Sequence, residues 1–339
     1  MKKILLTIFF VLLLFVIYAA WIIFGPLVSA PENKYFYINT GSTYSQVKAS
    51  LKEQEIISGT FFFDIIAKRA KYDKQIRAGK YEIKNGMSLI NLVRMLKAGR
   101  QSPVRLVINK IRTKEDFAGK IGQQFEADSL EVLQYITNND SLQKYGVDSN
   151  TMMTLIIPNS YLMWWNSPVK NILSRFADQR DKFWDGKRAA KATAMNLTPV
   201  QVYTMASIVE EETNKQEDKG LIASVYMNRI KKGMKLEADP TVKYAMRNFS
   251  LKRILHGHLQ YPSPYNTYQN TGLPPGPIST ASINTIDAVL DAPLTDYIFF
   301  VAKPDFKGYS NFASTYQQHL IYARAYQRAL DSLILSRNK

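Results

Sequence analysis

Apolar and polar positions follow three different rhythms along this 339-residue chain. At the N-terminus, Lys2 and Lys3 precede an unbroken apolar run from Ile4 to Leu27, with no charge before Glu32. At 1.5 Å per residue the run reaches roughly 36 Å, enough to cross a hydrocarbon core of about 30 Å. Residues 1–30 are therefore expected to be a single transmembrane anchor. Tyr18 and Trp21 lie towards its far end, as interfacial aromatics do, and the two lysines favour a cytoplasmic N-terminus with the remainder exported. Val28-Ser29-Ala30 would also suit a signal-peptide cleavage site. The run is longer than the about 7–15 apolar residues of such a signal and Pro31 follows directly, so a retained anchor is the expectation.

The second rhythm fills residues 31–128, where a short strand, a polar turn and an amphipathic helix recur. The first copy runs from Tyr35-Phe36-Tyr37-Ile38 to a helix carrying Val47 and Leu51. The second runs from Tyr81-Glu82-Ile83 to Leu89, Leu92, Val93 and Leu96, and a looser third from Val104-Leu106-Ile108 to Phe117 and Ile121. Thr43, Ser88 and Thr113 are placed to cap the three helices. A further helix-like stretch lies between the first two copies, from Thr60 to Tyr72. This strand–helix–helix–strand order resembles a LysM-like glycan-binding module. A structural α+β domain is the other reading, because periodicity reports burial and not ligand.

From residue 129 to 339 the helical segments are separated by loops rich in Pro, Asn and aromatic residues. Thr198-Pro199 starts a helix with a capping side chain and a proline in its first turn. That helix ends in Glu210-Glu211-Glu212. Glu212 follows Ile208 by four residues and Met205 by seven, which places it on a stripe with apolar neighbours. A carboxyl against apolar surface favours its protonated form, as a general acid requires. The plain alternative is a solvated acidic helix end in which Glu211 pairs with Lys215. Leu221, Ile222, Val225 and Tyr226 then mark a helix that Gly233 ends. Asp239 sits in the turn that follows, where it could simply cap the next helix. The loop from Ser263 to Thr280 is fixed by prolines and glycines, and Tyr265, Asn266, Thr267 and Tyr268 offer it ring faces, amides and hydroxyls suited to sugar. Tyr297–Val301 reads as a buried strand, with Ser310–Phe312 returning as a hairpin.

Composition narrows the chemistry. The chain has no cysteine, which excludes thiolate metal sites and disulfides, and only three histidines, His256, His258 and His319. Its net charge of +16 suits anionic lipid or an acidic wall polymer once export has removed nucleic acid from consideration.

The wording of four segments, ASIVEEET, ASVYMNRIKKGMKLEADPTVKY, YNTYQNTGLPPGPI and TDYIFFVA, resembles the YceG-like endolytic lytic transglycosylases. The resemblance implies an α+β chain with a lysozyme-like catalytic helix, in which Glu212 is the acid/base. It implies cleavage of the MurNAc–GlcNAc bond of nascent peptidoglycan to 1,6-anhydro ends, without cofactor or metal. Tyr161, Asp239, Tyr265, Asn266, Thr267 and Tyr268 become the expected glycan-binding residues. The expected partners are glycan strands and peptidoglycan synthases, at the outer face of the cell (inner) membrane. Ile157-Pro158-Asn159-Ser160-Tyr161 has Asn159 where the family commonly has Asp, so no role is implied there. A glycan-binding scaffold and a water-using muramidase are the competing readings.

Overall fold

The computed structural model describes residues 2–337. The N-terminal run forms α1 (Lys2–Phe24), long and apolar enough to cross a membrane and with none of its residues buried against protein. It stops three residues before the apolar run does, because Pro26 lacks the amide needed to continue it. The next residues are tied down immediately. Val28 is buried and pairs with Met87, while the Ser29 N–H donates to the Ile56 carbonyl at 3.1 Å. The Ala30 N–H donates to Asn85 Oδ1 at 2.6 Å. The segment that could have been a cleavage site is part of a folded core.

By contacts the chain divides into two compact units. The first comprises the described residues through Leu106, together with Gln124–Ala127 and Tyr161–Pro168. It contains β1 (Tyr35–Ile38), α2 (Tyr44–Glu53), α3 (Phe61–Arg69), β2 (Gly79–Glu82), α4 (Leu89–Ala98) and most of β3 (Val104–Val107). β1 and β2 pair antiparallel, from Tyr35 opposite Glu82 to Ile38 opposite Gly79. Phe36, Leu51, Phe63, Tyr81, Leu92 and Leu96 make the core beneath them. Thr43 and Ser88 accept amide hydrogens from Gln46 and Asn91, so the expected caps form. Gly99 ends α4 at φ 65°, a left-handed conformation that costs glycine little. Sequence pattern places one boundary after residue 128, whereas the chain passes back and forth between the units. One return is explained by Glu126, whose carboxylate accepts from both the amide and the hydroxyl of Thr40 at 2.6 Å.

The second unit takes Val107–Gln123, Asp128–Ser160 and the chain from Val169 onward. It begins with α5 (Lys114–Gly122), capped by Thr113, then α6 (Ser129–Thr137) and α7 (Asn139–Gln143). After β4 (Ser160–Met163), which pairs with β3, come α8 (Val169–Phe183) and α9 (Lys187–Ala194). Next come α10 (Pro199–Glu212), α11 (Gln216–Lys231), α12 (Asp239–Ala245) and α13 (Ile283–Leu290). The chain finishes with the antiparallel hairpin β5 (Phe299–Ala302) and β6 (Ser310–Ala313), followed by α14 (Tyr316–Arg337). β5 is only half-buried, not the buried strand the sequence suggests, because one end of it lines an open cleft. The architecture is mixed α+β, with α10 in the core of the second unit. Residues 202–209 of that helix are buried on every face, so it is a core helix and not one with a single apolar stripe.

Candidate active site

α10 starts as its sequence requires. The Thr198 hydroxyl accepts from the Gln201 amide, the Gln201 side chain caps the Thr198 amide in return, and Pro199 occupies the first turn. Its other end is less comfortable. Three consecutive carboxylates sit at the C-terminus of a helix, where the macrodipole disfavours negative charge. Each needs compensation from elsewhere, and each receives a different amount.

Glu210 receives the most. It accepts hydrogen bonds from Ser282 Oγ at 2.9 Å and from Thr285 Oγ1, and the buried Lys219 lies 3.3 Å away. Burial pushes its pKa up, but the hydroxyls of Thr285 and Ser282 and the charge of Lys219 outweigh that and hold it below the usual value. Tyr203, Ser207 and Glu210 are spaced four and three residues apart, so they form one polar stripe. Tyr203 and Ser207 accept the Ala281 and Ile278 amides at 3.3 and 3.0 Å, which fastens the end of the 263–280 loop to α10. Glu211 turns towards Lys110 at 2.8 Å and takes a two-pronged bond from Arg112 at 3.1 and 3.0 Å. It does not pair with Lys215, whose ammonium instead lies over the Tyr309 ring.

Glu212 receives least. Among the described residues its one hydrogen-bond partner is the Tyr226 hydroxyl, which donates to Oε1 at 2.7 Å from the neighbouring α11. Desolvation pushes its pKa up to about 7, against the Tyr226 bond and with help from the negative charge of Asp239. By surface area the residue is partly accessible although densely surrounded by protein. That is the situation of a group on the floor of a cleft. The cleft holds about 360 Å³. Besides Glu212 and Arg229 it is lined by Leu236, Glu237, Asp239 and Tyr268 and by Phe299, Phe300, Tyr316 and His319. Buried Arg229 secures the floor, donating to the carbonyls of Leu236 at 3.0 Å and Ile298 at 2.7 Å. A larger hollow, about 450 Å³, opens beside Glu210. Its carboxylate is already saturated with donors, so the smaller cleft has the better-placed acid.

The expected sugar-binding residues separate into groups. Asp239 and Tyr268 line the Glu212 cleft, and the Tyr268 hydroxyl donates to Asp239 Oδ1 at 2.8 Å. Asp239 forms no helix cap; α12 begins without one. Asn266 and Thr267 are buried and committed to the protein. The Asn266 amide donates to the Leu259 and Tyr261 carbonyls at 3.0 and 2.8 Å. Thr267 Oγ1 accepts from the Ala238 amide at 3.0 Å and bonds to Thr241 Oγ1 at 2.8 Å. These two side chains shape the loop and have no free group to offer a ligand. Tyr265 packs on Tyr244, ring centroids 4.8 Å apart, and does not line the cleft. Tyr161 is buried in the part of β4 belonging to the first unit. Tyr226, Arg229, Phe299, Phe300, Tyr316 and His319 join the site without any sequence expectation for them there. Tyr226 and Arg229 are one helical turn apart, a spacing that could have flagged the first two.

Known proteins resemble this chain along most of its length. Residues 36–325 match the sequence profile of the YceG-like family. The chain is 28% identical over 323 residues to an endolytic murein transglycosylase of Bacillus subtilis, covering 89% of this chain and 85% of that one. It is 26% identical to an endolytic murein transglycosylase of Streptococcus pneumoniae, covering 81% of this chain and 55% of the longer relative. The crystal structure of a yceG-like protein from Listeria monocytogenes superimposes with a TM-score of 0.56 at 26% identity, covering 85% of this chain and 98% of that one.

Proposed function

Because this chain belongs to the YceG-like family, we propose that it is an endolytic lytic transglycosylase of peptidoglycan, with Glu212 as its acid/base. The observation that carries the reading is the Glu212 carboxyl, lifted to about 7 on the floor of an open cleft with a single hydroxyl partner. The relatives named endolytic murein transglycosylase supply the substrate class.

The chemistry follows from one carboxyl used twice. Protonated Glu212 gives its proton to the oxygen linking MurNAc to GlcNAc, and the bond to C1 breaks. The resulting carboxylate takes the proton from the MurNAc C6 hydroxyl, whose oxygen closes on C1. The 1,6-anhydro ring forms, no water enters, and Glu212 is protonated again. The negative charge of Asp239 raises Glu212, and in this reading it also stabilises positive charge developing at C1. Tyr226 holds the carboxyl in one orientation through both steps. In this reading α10 is the lysozyme-like catalytic helix, residues 31–128 are a LysM-like module, and residues 129–339 carry the catalysis.

α1 is read as a transmembrane anchor with a cytoplasmic N-terminus, which leaves the rest of the chain outside the cell (inner) membrane beside nascent strands and their synthases. The tie from Val28 to Met87 leaves little slack between the anchor and the folded residues that follow it.

The test is incubation of the purified full chain with uncrosslinked glycan strands, followed by mass spectrometry. The reading expects fragments one water lighter than reducing-end products. Reducing ends would identify a muramidase, and binding without fragments a scaffold.

A further inference from the structure

Part of the lining of the Glu212 cleft comes from β5 and α14. Phe299 on β5 stacks with His319 on α14 at 5.1 Å between centroids and 24° between planes, and Tyr316 leans on the same ring at 5.9 Å. All three line the cavity that holds Glu212. Tyr316 is 58% exposed although its ring has aromatic neighbours, so a flat apolar surface is left open at the cleft rim. His319 Nδ1 is buried with no hydrogen-bond partner among the described residues. A buried polar atom without a partner is costly unless something supplies one. Burial and the nearby Arg229 guanidinium push the His319 pKa down, so the ring stays neutral and offers one donor and one acceptor.

We propose that Tyr316 and His319, backed by Phe299, form a sugar subsite that receives an N-acetylhexosamine ring next to the bond cut at Glu212. The proposal rests on the transglycosylase reading above. The apolar face of the sugar lies on Tyr316, and a ring hydroxyl or the acetamido group bonds to the imidazole. Such a site combines one stacking surface with one directional polar group.

The test uses the full chain carrying Glu212→Gln, titrated with an N-acetylglucosamine tetrasaccharide by calorimetry. Adding Tyr316→Ala or His319→Ala is expected to weaken binding about three- to tenfold, the loss of one stacking or one hydrogen bond. Tyr316→Phe keeps the ring and should bind like its parent. With Glu212 restored, Tyr316→Ala should raise KM for glycan strands and leave kcat within about twofold, which a general loosening of the fold would not do. His319→Gln guards against misfolding by keeping a polar side chain at that position. If the parent binds the tetrasaccharide and both alanine variants bind equally well, the subsite is wrong and the transglycosylase reading stands. If the parent binds nothing and the unmutated chain cuts nothing, both fall.

Discussion

The pocket around Glu210 and the cleft around Glu212 are two residues apart on one helix end, yet they drive chemically identical side chains in opposite directions. Both groups are desolvated. Glu210 is met by two hydroxyls and a buried ammonium and is held ionised, while Glu212 is met by one phenol and is held protonated close to neutrality. Burial alone therefore does not make a general acid. What separates them is how strongly desolvation is opposed. Hydroxyls and a buried ammonium outweigh it at Glu210, whereas at Glu212 it dominates and the charge of Asp239 adds to it. This is how one short sequence provides both a structural anchor and a proton carrier.

The largest effect is expected where that contrast is removed outright. Glu212→Gln keeps the Tyr226 contact but carries no proton to transfer. Fragment release from glycan strands should fall by about a hundred- to ten-thousandfold, with the fold intact by circular dichroism. Glu210→Gln reverses the roles. It leaves Lys219, 8% exposed at its side chain, without a counter-charge. Stability should drop by about 3 kcal/mol in denaturant titration, and the loss of activity should follow the loss of folded protein. Equal damage to turnover in fully folded Glu210→Gln would break the division of labour.

The linkage between proton binding and folding gives a smaller effect of defined sign. The folded pKa of Glu212, about 7, lies above its unfolded value near 4.5, so folding favours the protonated form. Stability from this group is complete below about 4.5 and is lost as pH rises through about 7. Glu212→Gln, which cannot ionise, should match the wild type at pH 4 and exceed it at pH 8 by on the order of 3 kcal/mol. No pH dependence in that difference would mean that the carboxyl is not held protonated. Smallest is Tyr226→Phe. The phenol favours the ionised carboxyl, so its removal should move the alkaline limb of the rate profile up by about one pH unit. A downward shift would contradict the donor role.

Local rules made much of the architecture legible. Thr43, Ser88, Thr113 and Thr198 all cap the helices they were expected to start, because capping depends on residues three apart. Glu212 was legible from its apolar neighbours and from motif wording. The part of the cleft lining that β5 and α14 supply was not. Phe299 and His319 lie far beyond Glu212 in sequence, and no periodicity spans such a distance. Asn266 and Thr267 show a different limit. An amide and a hydroxyl in a loop can serve a sugar or the loop itself, and only their burial against Leu259, Tyr261, Ala238 and Thr241 assigns them to the loop.

The most direct test is a carbon-13 NMR titration of glutamate side-chain carboxyls in the full chain, with Glu212→Gln and Glu210→Gln identifying the two resonances. Glu212 should titrate near 7 while Glu210 stays ionised to below the ordinary carboxylate range. A Glu212 midpoint near 4.5, or a Glu210 that takes its proton first as pH falls, would contradict the assignment of the acid.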